Sequence, residues 1–92
     1  MKIRIKKDVD LKELKKYGYR EWEKGFTKRV MSVKAEDTSR FYENIEVRKE
    51  DRIIRSHLYN DLSNFDWFSQ YLTENHYIQD LVESGLTEIV EV

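Results

Sequence analysis

Two histidines and a few adjacent acids are the residues whose types and spacing bear on catalysis. Ser56 precedes His57, the pair a hydroxyl nucleophile and its base would need. Such chemistry requires the two side chains to touch and a third group to orient the base. Neighbours on a strand point to opposite faces, so His57 reads as a polar residue on a sheet face. His76 and Asp80 stand four apart, the spacing that shares a helix face, with Glu74 close by. Zinc wants three or four ligands, and the chain has no cysteine to add. The adjacent pairs Glu36, Asp37 and Glu50, Asp51 fall in expected turns and read as solvated turn residues; general acid work needs burial. Three isolated glycines, Gly18, Gly25 and Gly85, do not make a phosphate-cradling loop. No catalytic residue, metal or cofactor is assigned, and the expectation is a protein that binds rather than reacts.

The chemistry that remains is electrostatic. Residues 1–34 carry 12 basic and five acidic side chains, whereas the 37 residues after Arg55 carry seven acids and neither Lys nor Arg. A net charge of −1 therefore hides ends of opposite sign, which speaks to partners rather than to fold. On the basic side, Lys12, Lys15 and Lys16 share one helix face, and Arg20, Lys28 and Arg29 extend it into a candidate phosphate-contacting surface. Tyr17, Tyr19 and Trp22 lie among them as candidates for base stacking. Against this stands a pI near 6.1, where nucleic-acid-binding domains often exceed about 9. On the acidic side, Asp66, Glu74, Asp80 and Glu83, with Tyr77 as an aromatic anchor, form a candidate surface for a basic groove on another protein. The bland alternative is that the two ends pair within one domain, where exposed ion pairs contribute about 0 to 1 kcal/mol each.

The elements that must position these groups are sparsely punctuated, with no proline. Ile3 and Ile5 alternate with Lys2, Arg4 and Lys6 at a strand period. A short helix follows: Asp10 caps it, Glu13 completes a capping box, Val9 and Leu14 take staple positions, and Gly18 closes it. Residues 19–59 favour strands, with turns at Lys24 and Gly25, around Ala35 to Ser39, and at Lys49 to Asp51. Phe41, Ile45 and Val47 alternate with Tyr42, Asn44, Glu46 and Arg48, which predicts one face on a core and one in water. Ser63 or Asn64 caps a second helix from Phe65, with Phe68, Tyr71, Leu72, Ile78 and Val82 on one side. Asn75 interrupts that stripe and either breaks the helix or is buried with a partner. Gly85 ends the helix and residues 86–92 return as a strand. The expected fold is α+β: a single domain over 1–92, an antiparallel meander of about four to six strands, one short N-terminal helix and a longer C-terminal one.

At 92 residues one core must suffice, and 39% hydrophobic with 13% aromatic residues is ample for it. The absence of cysteine fits a reducing compartment. Lys2 to Lys7 has charge without the apolar stretch of a signal peptide, and no apolar run reaches the ~20 residues that cross a bilayer. A cytoplasmic protein away from membranes is expected.

At its two ends, MKIRIKKDVDLKELKKYGY and DLVESGLTEIVEV, the chain resembles small proteins encoded by bacteriophages and prophages, in their opening strand, capped helix and glycine, and in their closing helix and strand. The phrase from Leu81 to Val90 is also similar to the recognition-helix end of winged-helix proteins, without the basic wing. The phage resemblance implies a small binding protein acting on a host protein, such as an anti-CRISPR-like inhibitor that occupies the nucleic-acid site of a defence nuclease. Its acidic surface would then act as the phosphate mimic. Direct nucleic-acid binding by the basic third is the alternative.

Overall fold

The computed structural model describes residues 2–36, 39–61, 66–71 and 77–91, with 66–71 and 91 as backbone. Among the described residues seven strands run in chain order: β1 (Lys2–Ile5), β2 (Arg20–Trp22), β3 (Gly25–Lys34), β4 (Arg40–Arg48), β5 (Ile54–Asn60), β6 (Asp66–Tyr71) and β7 (Thr87–Glu91). A 3₁₀ helix, Leu11–Tyr17, follows β1, and the one-turn helix α1 (Gln79–Glu83) precedes β7. Strands β2 to β6 form a five-stranded antiparallel meander in sequence order, and β1 pairs with β7 in a separate ribbon.

The expected α+β class does not hold. The chain is mostly antiparallel β, 53% strand against 17% helix, and no long C-terminal helix is found among the described residues. Residues 66–71, expected in that helix, are strand β6 along the outer edge of β5, from Arg55 opposite Tyr71 to Tyr59 opposite Asp66. Phe68 and Tyr71 satisfy a helical spacing, but aromatic residues also favour a pleated surface, and an unpaired β5 edge supplies a ladder of partners. Among the described residues of that stretch five are helical, which sink Leu81 into the core and end through Gly85 at φ 75°. The Leu86 N–H donates to the Leu81 carbonyl across that turn. The expected caps at Ser63 or Asn64, the helix start at Phe65, and Leu72 and Asn75 lie outside the described residues.

Elsewhere local signals translate directly. Asp10 caps the 3₁₀ helix by accepting from the Lys12 N–H at 3.0 Å, and Gly18 closes it at φ 90°. The three expected turns separate β2, β3, β4 and β5. One sheet face carries Phe26, Ile45, Val47 and Ile54, all buried against Ile3, Ile5, Leu14, Tyr19, Ile78 and Leu81 from the ribbon and helical segments. Arg52 joins ribbon to sheet: its Nη1 donates to the carbonyls of Lys6 and Val9 at 2.8 and 2.6 Å, and its own carbonyl accepts from the Ile5 N–H. It does so at φ 62°, a left-handed conformation that an L side chain adopts at a cost. No helix among the described residues is long and apolar enough to cross a membrane.

Candidate nucleic-acid interface

The opposite sheet face is built by register. Arg20 lies across from Thr27, Thr27 from Glu46, and Glu46 from Arg55. One row along, Arg29 faces Asn44 and Asn44 faces His57; beyond it, Ser32 faces Tyr42, Tyr42 faces Tyr59, and Lys34 pairs with Arg40. A bulge at Val30 re-phases β3 between Arg29 and Met31, so that Arg29 and Ser32 stand on the same face. This face is therefore rich in arginine, with two tyrosines half-buried among the cations.

At its centre Arg29 is held by neutral groups. Its Nη2 donates to the Tyr59 Oη at 2.6 Å and its Nε to Asn44 Oδ1 at 3.3 Å, while Asn44 Nδ2 donates to the same phenol at 3.4 Å. The guanidinium lies 4.0 Å from the centroid of Tyr42, whose ring packs against Tyr59 at 5.3 Å and 34°. At that distance the ring face attracts the cation, and a guanidinium is more weakly hydrated there than an ammonium. No carboxylate neutralises Arg29 among the described residues, and its Nη1 group donates to none of them. Arg40 likewise reaches a neutral acceptor, Ser32 Oγ, at 3.3 Å. Lys34 is exposed beside it, with no carboxylate partner among the described residues.

Lower on the same face the charges are balanced. Glu46 is buried, with Oε2 3.1 Å from His57 Nε2 and Oε1 2.5 Å from Arg48 Nε. Arg55 pairs with Asp51 at 2.6 Å. Burial pushes the Asp51 carboxyl up, but hydrogen bonds from Arg55 and the Ile53 N–H outweigh it and hold the group below its ordinary range. The buried Ser56 hydroxyl donates to Glu43 on the core side, so Ser56 and His57 do point apart. Among the described residues no three His, Asp or Glu side chains converge as metal ligands; His76 and Glu74 lie outside them.

The six basic residues singled out by sequence are not one surface. Lys28 and Arg29 occupy opposite faces of β3, and Lys28 Nζ turns inward to 3.9 Å from Asp80 and 5.6 Å from the Tyr19 ring centroid. Burial, with the nearby Asp80 charge, pushes the Tyr19 phenol up. On the 3₁₀ helix, Lys16 pairs with Glu13 at 2.8 Å and Lys15 with Glu21 at 3.4 Å. The Glu13 hydrogen bond and charge raise the Lys16 ammonium, and Lys49 and Lys15 lower the Glu21 carboxyl. Lys12 is exposed on that helix, and Arg20 shares the arginine face with Arg29.

Of the described acidic residues, Asp80 and Glu83 share α1 and Asp66 belongs to β6. Asp80 faces Lys28, Glu83 accepts from Gln79, Tyr77 packs half-buried against the core, and Asp66 holds the register position across from Tyr59. Sequence reasoning missed Tyr42, Asn44, Tyr59, Lys34 and Arg40 as site residues. The signal for some of them was present in the alternation that set Tyr42 and Asn44 on the water side of β4. No protein-family model, curated protein or solved structure matches the chain.

Proposed function

We propose that this protein is a non-enzymatic binding module that takes single-stranded nucleic acid on the arginine and tyrosine face of its sheet. The observation that carries this reading is Arg29: a guanidinium fixed on two neutral acceptors, 4.0 Å over the Tyr42 ring, with donors left for an incoming anion. A phosphate oxygen is the acceptor such a fork suits, and half-buried Tyr59 beside it offers ring surface to an unpaired base. A duplex hides its base faces and presents mainly phosphates, so single strands gain more here. On this reading the protein works in the cytoplasm.

The competing reading, an inhibitor that docks on a host nuclease through acids, draws less from the geometry. Asp80 and Glu88 already face Lys28 and Arg4, at 3.9 and 2.7 Å. Fluorescence anisotropy with a labelled single-stranded oligonucleotide separates the two. Binding should weaken as salt rises, fall on the order of tenfold in Arg29→Ala, and persist within a few-fold in the triple reversal of Lys12, Lys15 and Lys16 to Glu. Absence of binding at low salt, with an intact fold, would overturn the proposal. Capture of a nuclease that is lost on reversing Asp66, Asp80 and Glu83 to Lys would install the competing one.

A further inference from the structure

We infer that Trp22 is a second base-stacking platform on the same face, and that the ligand is a strand of about six nucleotides rather than an isolated phosphate or a short fragment. This inference rests on the nucleic-acid reading above and adds its length and its far end. Trp22 lies across from Gly25, and Gly25 across from Arg48, which places the indole, a residue without a side chain, and a guanidinium in one row. That row belongs to the face that carries Arg29, Tyr42 and Tyr59. The indole is 36% exposed and makes no hydrogen bond, ring contact or cation contact among the described residues. A tryptophan left open beside Arg20 and Arg48, on an edge strand of three residues, contributes little to the core that lies beneath the other face.

The spacing sets the ligand. From Arg48 to Tyr42 along β4 is six residues, a span of about 20 Å at roughly 3.3 Å per residue. Bases stacked at about 3.4 Å each cover that in about six nucleotides, and a stretched strand covers it in fewer. Between the two aromatic stations Arg29 offers an unneutralised cation for the intervening phosphates, and Arg20 offers another beside Trp22. Glu46, the carboxylate midway on this face among the described side chains, is buried and engaged by His57 and Arg48, so it presents little negative charge to the strand.

The test is a length series of oligothymidylates, from three to ten nucleotides, titrated into the wild-type protein, Trp22→Ala and Trp22→Phe. In the wild type, affinity should climb with length to about six nucleotides and then level off. Trp22→Ala should bind the trimer as the wild type does and lose on the order of tenfold on the octamer, with Trp22→Phe recovering most of that loss. In a Trp67→Phe background the Trp22 emission should be quenched by the octamer and unchanged by the trimer. Octamer binding that ignores Trp22 in both the alanine variant and the emission would overturn this inference and leave the proposed function standing. Failure of every oligonucleotide to bind would overturn both.

Discussion

An arginine with neutral partners differs in kind from one in an ion pair, and the contrast between Arg29 and Arg55 carries the functional argument. Arg55 sits on Asp51 and its field is cancelled at short range, whereas Arg29 sits on a phenol and an amide and keeps its field. Arg29→Lys keeps the charge but loses the fork and the stacking plane. It should therefore weaken oligonucleotide binding severalfold with little change in salt dependence, as read by anisotropy at two ionic strengths. Asp51 supplies a stability prediction with a definite sign. Its folded carboxyl is held below the ordinary value, so its contribution is present above about pH 4 and lost as pH falls through the folded pKa. The urea midpoint of the wild type should exceed that of Asp51→Asn at pH 7, and the gap should close in acid. A gap that widens in acid would contradict the pairing.

At the scale of elements, the hairpins decide which residues meet. Gly25 opens β3 where a side chain has no room: a Cβ there would lie 2.0 Å from the Val47 carbonyl oxygen and 2.8 Å from Arg48 Cα, both backbone atoms of β4. Gly25→Ala must push the two strands apart and should cost about 2 kcal/mol or more, seen as a fall in thermal midpoint of roughly 10 °C. The first strand, the capped helix at Asp10 and the turns from Lys24 to Asp51 were legible because each rests on local chemistry of a few residues. The site was not, because Arg29 and Tyr59 are 30 residues apart and meet only through two strand registers and the bulge at Val30. The stretch from Asp66 to Tyr71 misled for a different reason. Its aromatics fit a helical stripe and a strand equally, and the neighbour that settles the choice, the open edge of β5, is a tertiary feature.

For the molecule as a whole, the opposite charges of the chain ends are largely an internal matter. Basic β1 pairs with acidic β7, Arg4 reaches Glu88 at 2.7 Å, and Lys28 turns toward Asp80. Folding brings these ends together on the core side and leaves, among the described side chains, Arg29, Arg40 and Lys34 without carboxylate partners on the other face of the five-stranded sheet. A protein with a net charge of −1 can in this way present a cationic surface. The most direct test is an amide ¹H–¹⁵N spectrum of the full chain titrated with a single-stranded oligonucleotide. Shifts should concentrate at Arg29, Tyr42, Asn44 and Tyr59 and extend toward Trp22, leaving Lys12 to Lys16 and α1 in place. A spectrum that does not move, or that moves at Lys12 to Lys16 alone, would contradict the account.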